Sequence, residues 1–238
     1  MSAATEQQVA EYGGDFVEMV VRELKAEPDP DYAHMDEIHN LAGDNTGFAR
    51  VWQGPGIRKI SYLSIDIMPG ARYFNFMVSP DDAIDAPRFA HEGMLSVHGG
   101  QLSMDLYHDV DMQAHIAELV RKLEPVTEIY NEARASYIEF VPSRQVHMRA
   151  FCSPHFLNVF NPEGKALPQI QSYAERYFRA WQQLLADAAT LDEAATADRT
   201  RRRVHMSDMV VALDPDREMV VQVYGEDTVQ AIEQTVMY

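Results

Sequence analysis

The sequence predicts an α+β domain in which helices cover both faces of an antiparallel sheet. Three observations carry this reading: apolar stripes of helical period towards both ends of the chain, runs of period-two alternation between residues 57 and 108, and turn residues joining those runs. The chain has 238 residues, 46% of them hydrophobic, enough to bury one sizeable core. No linker, repeat or low-complexity tract divides it, so residues 1–238 are expected to form a single domain.

Val9, Tyr12, Phe16, Val20 and Leu24 recur at helical spacing and predict one amphipathic helix, closed by Pro28 and Pro30. Residues 57–68 then alternate, and Pro69-Gly70 turns the chain into a second strand from Arg72 to Val78. A two-residue turn places Ser64 opposite Asn75. Two prolines and three aspartates mark 79–88 as a loop, and a second hairpin runs from Met94 to His108 about Gly99-Gly100. Helical spacing returns from Met112 to Leu123, ends at Pro125, and resumes weakly to about Tyr137. A short strand is expected over 155–161. Ile170, Tyr173, Tyr177, Trp181 and Leu184 form the clearest helical stripe, and an interrupted helix over 216–236 closes the chain. Arg199, Arg201, Arg202 and Arg203 are the one concentration of positive charge.

Thirty-seven acids against 20 Lys and Arg give a net charge of −17, which repels phosphate backbones and anionic lipid, so neither nucleic acid nor membrane is an expected partner. No run approaches the roughly 20 apolar residues of a membrane helix, and no targeting segment opens the chain. A single cysteine, Cys152, fits a reducing, cytoplasmic setting and supports no cluster ligation. Glycine-rich nucleotide loops and the H-E-x-x-H pattern are absent, and the histidines match no metal-ligand spacing, so no metal is expected. One face of the expected sheet is polar, carrying Ser64, Asp66, Asn75, Ser103, Asp105 and Tyr107, the composition of a ligand cleft if a helical layer stands off it.

Arg58-Lys59, the segment RYFNFMVSP ending at Pro80, then Pro87, Phe89 and Glu92, the segment SMDLYHDV, and the closing stretch ALDPDREMVVQVYGEDTVQAIEQTVMY together resemble the ferredoxin-dependent bilin reductases, the phycocyanobilin type among them. The resemblance implies a three-layer α/β/α sandwich holding a linear tetrapyrrole, biliverdin or a related bilin, between the sheet and the C-terminal helices. It implies no bound cofactor: single electrons come from a transient partner, reduced ferredoxin, and side-chain acids supply protons. Heme oxygenase is the implied supplier of the bilin.

Carried over by position, the family's central aspartate falls at Glu92 and its second at Asp214, with Asn75 as the strand residue beside them. These are the implied catalytic residues. A carboxyl facing an apolar tetrapyrrole is desolvated and becomes a proton donor near neutrality. His91 is a candidate substrate contact, and Arg58, Arg72, Arg88, Arg144 and Arg149 are candidates for the bilin propionates. Lys59 with Arg58 and Arg72 is the expected basic face for ferredoxin. Glu92 in place of aspartate resembles the related red chlorophyll catabolite reductases, and Leu63 replaces the glutamate of the phycocyanobilin subgroup, so that subgroup's vinyl reduction does not carry over. The competing reading is a protein that binds a bilin or heme without reducing it.

Overall fold

The alternation between residues 57 and 108 builds the centre of a single antiparallel sheet. The computed structural model describes residues 4–136 and 146–238. Its strands are β1 (Glu27–Pro28), β2 (Ile38–His39), β3 (Asn45–Gly54), β4 (Ile57–Met68), β5 (Ala71–Pro80), β6 (Arg88–Ser96), β7 (Gly99–Tyr107) and β8 (Leu157–Phe160). Spatial order follows β1-β3-β4-β5-β6-β7-β8, with β2 beside β3. The helices are α1 (Glu6–Glu11), α2 (Gly14–Glu23), α3 (Ile116–Lys122), α4 (Glu124–Ala135), α5 (Val146–Phe151), α6 (Leu167–Ala186), α7 (Glu193–Leu213), α8 (Arg217–Tyr224) and α9 (Glu226–Met237).

One face of the sheet is apolar. Ile60, Phe74, Phe76, Val78, Phe89, Leu102 and Met104 meet Val9, Phe16 and Val20 of α1 and α2, Val126 of α4, and Tyr173, Tyr177, Phe178 and Trp181 of α6. Each such side chain taken out of water contributes about 1.5–3 kcal/mol, so this layer holds most of the stabilising area. Trp181 is fully buried, stacks on Phe178 with ring centres 5.5 Å apart, and donates its indole N–H to the Pro87 carbonyl at 2.7 Å. That bond fixes the entry to β6. The opposite face meets α8 and α9, where Ala49, Leu63 and Ile65 pack on Tyr224, Val229, Ile232 and Val236. The expected three-layer sandwich is therefore present.

Several local expectations are corrected. The first helix is two, because Gly13 takes a left-handed conformation (φ 83°) between α1 and α2, although Val9, Tyr12, Phe16 and Val20 still share one buried face. The β4–β5 turn does hold two residues, with Met68 opposite Ala71, but a bulge between Asp66 and Met68 shifts the register by one. Asn75 therefore pairs with Leu63, and Ser64 with Phe74, so Ser64 leaves the polar face for the greasy one. Val97 and His98 make the second turn. Gly100 is the second residue of β7, where a β-carbon would lie 2.1 Å from the Met94 carbonyl oxygen.

Arg88, expected to close a loop, and residues 89–93, which carried no assignment, are the first half of β6. Strands β1 to β3 and helix α5 had no clear signal, and Pro125 opens α4 instead of ending α3. The arginine concentration is not a basic surface. Arg199 is buried against the Ile84 and Ala86 carbonyls, Arg203 pairs with Asp82 at 3.0 Å, and Arg201 and Arg202 pair with Asp198 on their own helix. The final helix is divided at Gly225 into α8 and α9.

Gly93 lies in β6 between Phe74 and Leu102, and a β-carbon there would meet the Gln101 carbonyl oxygen at 2.3 Å. Gly93→Ala is expected to lower unfolding stability by about 2 kcal/mol or more through overpacking of the β6–β7 pair. A urea titration followed by tryptophan fluorescence measures this directly.

Candidate active site on the polar sheet face

Glu92 occupies the middle of β6, with Asn75 of β5 on one side and Ser103 of β7 on the other. Ser103 in turn pairs with Asn158 of β8, so Asn75, Glu92, Ser103 and Asn158 form a polar row across four strands. Alternation along the strands brings Tyr73, Asp105 and Tyr107 to the same face. Two apolar groups flank the polar residues: the α8–α9 contact already described, and a second made by Met77, Ala90, Tyr107 and Cys152 with Met148 and Phe156.

Asn75 Nδ2 donates to Glu92 Oε2 at 2.8 Å. Its Oδ1 is buried and has no partner, an acceptor that a ligand N–H would satisfy. Burial pushes the Glu92 carboxyl above its ordinary range; the Asn75 bond opposes the shift and the nearby Asp105 charge reinforces it. A carboxyl so placed keeps its proton at higher pH and can give it up to a bound molecule. Asp105 is raised to about 6 by burial, against hydrogen bonds from Ser153 and the Leu106 N–H. Burial likewise raises the Tyr73 phenol, helped by the charges of Glu92 and Asp214.

Asp214 caps the C-terminus of α7, is exposed, and accepts the Asp216 N–H at 2.9 Å. Its charge adds the smallest of the contributions felt by the Tyr73 phenol. The structure thus brings Asn75 and Glu92 into contact, and Asp214 is not bonded to either.

His91 is placed elsewhere. As the neighbour of Glu92 on a strand it points to the opposite face, where Nδ1 bonds the Ser103 carbonyl at 2.8 Å and Nε2 lies 3.3 Å from the Tyr12 hydroxyl. Phe16 and Phe74 pack edge-on against its ring. It is a core group, and the expectation of a substrate contact is corrected. Arg88 faces the polar side but is 2% exposed and held by Asp109 through two bonds of 2.7 and 3.0 Å, so its donors are engaged within the fold.

Arg58 donates to the Tyr238 carbonyl at 2.9 Å, and Lys59 is buried, donating to the Gln234 carbonyl at 3.2 Å. Arg72 holds Asp66 and the Ala10 carbonyl at the far end of the β4–β5 hairpin, beside a surface groove of about 680 Å³ that does not include Glu92. Arg58, Lys59 and Arg72 therefore do not form one basic face. Arg149 is exposed on α5, next to Met148 of the second apolar group. Arg144 lies outside the described residues.

Cys152 is buried, and burial followed by the charges of Asp105 and Glu92 pushes its thiol far up, which suits packing and not nucleophilic attack. Among the described residues no group of three or more His, Cys, Asp or Glu is placed to hold a metal ion, and no helix is long and apolar enough to cross a membrane.

The model of the ferredoxin-dependent bilin reductase family matches residues 17–238. The chain belongs to this family. No curated protein matches it. Among solved structures, the chain is similar to tomato phytochromobilin synthase, crystallised in complex with biliverdin, with a TM-score of 0.79 and 14% identity over 92% of this chain and 80% of that one. At that identity the likeness shows a shared fold. Asp105 belongs to the polar face that the alternation marked as a possible ligand cleft, and Tyr73 is a polar-face residue that spacing alone did not single out. Their strand alternation was readable, but their closeness to Glu92 depends on a register that the sequence does not display.

His91 generates a pH prediction. Burial lowers its pKa from 6.5 to about 4, so between those values the unfolded chain binds a proton that the native state refuses. Stability from this group is therefore lost as pH falls through that window, with a slope of at most about 1.4 kcal/mol per pH unit. Asp105, raised to about 6, acts in the opposite sense. His91→Gln is expected to lose less stability than the parent between pH 6.5 and 4, as read from urea midpoints at each pH.

Proposed function

We propose that this chain reduces biliverdin or a closely related linear tetrapyrrole, taking one electron at a time from reduced ferredoxin and matching each with a proton. Two electrons and two protons add across one carbon–carbon double bond, and two ferredoxins are oxidised. Family membership supports the reaction class, and one observation carries the assignment of the site: a partly buried Glu92, its carboxyl pKa raised by desolvation, hydrogen-bonded to a buried asparagine whose other polar atom faces no partner.

In this reading the tetrapyrrole lies on the polar row, with its apolar rings against the two flanking groups. Asn75 Oδ1 accepts a pyrrole or lactam N–H, which fixes the ring over the Glu92 carboxyl. Glu92 delivers a proton from the sheet side. Asp214 acts from the helix side, as second donor or by orienting the bilin. No bound flavin, nicotinamide or metal is part of this reading, because the substrate itself holds the unpaired electron and another protein supplies it. Arg149 is the candidate whose position on α5 suits a propionate at the rim.

A carrier that binds the bilin without reducing it is the competing reading. Its support is Asp214, which is exposed and already satisfied as a helix cap. An anaerobic absorbance time course with biliverdin, before and after reduced ferredoxin is added, separates the two. Electron-dependent loss of the bound biliverdin band with a new chromatographic product is the expected result; a bound spectrum indifferent to reductant supports the carrier. Glu92→Gln and Asp214→Asn are each expected to bind bilin nearly as the parent does and to turn over more than about tenfold more slowly. Weakened binding without a kinetic defect would assign these residues to structure.

A further inference from the structure

A second carboxyl shares the polar face with Glu92, and its surroundings are unlike those of the first. Asp105 is two residues beyond Ser103, the β7 partner of Glu92, and pairs with Ala90, so the two carboxyls are diagonal neighbours on one face of an antiparallel pair, about 7 Å apart at their β-carbons. Asp105 is 1% exposed. Oδ1 accepts the Leu106 N–H at 2.8 Å and the Ser153 hydroxyl, and Oδ2 accepts the Ser153 N–H at 2.8 Å.

Ser153 Oγ in turn accepts the His155 N–H at 3.0 Å, which leaves the serine's own proton directed at Asp105. Both carboxyl oxygens therefore meet donors only. A proton on Asp105 would have no acceptor here, and a carboxyl that receives three donors is favoured as the anion.

Glu92 differs on each count. Its carboxyl receives the Asn75 amide, with the Ser103 hydroxyl as a further donor, and lies on the polar row. The other titratable groups around the pair are Tyr73 of β5, Tyr107 of β7, Cys152 after α5 and Tyr177 of α6, all held neutral by burial. Arg88, beyond Tyr107, is sealed by Asp109, and Asp214 stands beyond Tyr73 at the end of α7. Among the described residues, Asp105 is thus the buried charge that acts on Glu92 from within the sheet.

We propose that Asp105 is the positioning residue for the proton on Glu92: a carboxylate fixed by Ser153 and the Leu106 N–H, whose charge keeps Glu92 in the protonated form from which it donates. Two carboxyls close together cannot both ionise freely, and here unequal hydrogen bonding decides which one holds the proton. Ser153 acts through Asp105. The inference rests on the proposed role of Glu92 as donor, and its test is chosen so that the two can fail separately.

The test is an infrared titration of the ligand-free protein, following the carbonyl stretch of protonated carboxylic acid. That band is expected at neutral pH in the parent and absent in Glu92→Gln. In Asp105→Asn its midpoint is expected to fall by about one to two pH units, and in Ser153→Ala by less. The alkaline limb of bilin turnover should move by the same amount in each variant. Persistence of the band in Glu92→Gln with its loss in Asp105→Asn would reverse the two roles and overturn the proposal, as would a midpoint unmoved in both Asp105→Asn and Ser153→Ala. Should Asp105→Asn not fold, the Ser153→Ala midpoint alone decides. A shifted midpoint in a protein that turns over no bilin would leave the coupling standing and remove the reductase reading.

Discussion

A sheet covered by helices on both sides has to present two different faces from the same strands, and the alternation of β6 is where this chain does it. Phe89, His91 and Leu95 enter the apolar layer beneath α2 and α6, while Arg88, Ala90 and Glu92 turn to the other side. The same peptide bonds that place His91 in the core turn Glu92 to the polar face. Neither side chain can be repositioned without the other, because shifting the strand by one residue exchanges the faces. Trp181, bonded to the Pro87 carbonyl just ahead of β6, holds the strand against such a shift.

Much of the architecture was legible because the period of hydrophobicity changes cleanly from helical to two and back. Leu63, Ile65, Phe74 and Phe76 announced their strands, and Tyr173, Tyr177 and Trp181 their helix. Register was not legible. One unpaired residue beside Met68 moved Ser64 to the greasy face and set Leu63 next to Asn75, and nothing in the alternation marks a bulge of that kind. The first half of β6 was hidden for a related reason: Pro87 before it, and Arg88, His91 and Glu92 within it, have the composition of a loop, while the partners that neutralise or satisfy them are Asn75 of β5, Ser103 of β7, Asp109 beyond β7 and Tyr12 just after α1.

For the proposed site, residue type and family spacing nominated Glu92, Asn75 and Asp214 but could not say which arginines are spoken for. Arg88, Arg58 and Arg199 look alike in the sequence, yet each is consumed by a carboxylate or by carbonyl oxygens supplied from distant parts of the chain. Charge on this protein is therefore partitioned. The interior cations stitch α7 to the β5–β6 connection and the chain's last residues to β4, while acids dominate what remains, and the polar face keeps two carboxyls with no arginine or lysine bonded to either among the described residues.

The sheet ends abruptly on both sides. One margin is the two-residue β1, which contains Pro28, and the other is the four-residue β8, followed by Asn161, Pro162 and Gly164. A margin so short offers few free amides and carbonyls for another polypeptide to continue the ladder, and proline removes one donor outright. The protein electron donor proposed above is therefore expected to be recognised by side chains on the helices and loops, with a strength that follows ionic strength more closely than the geometry of any backbone.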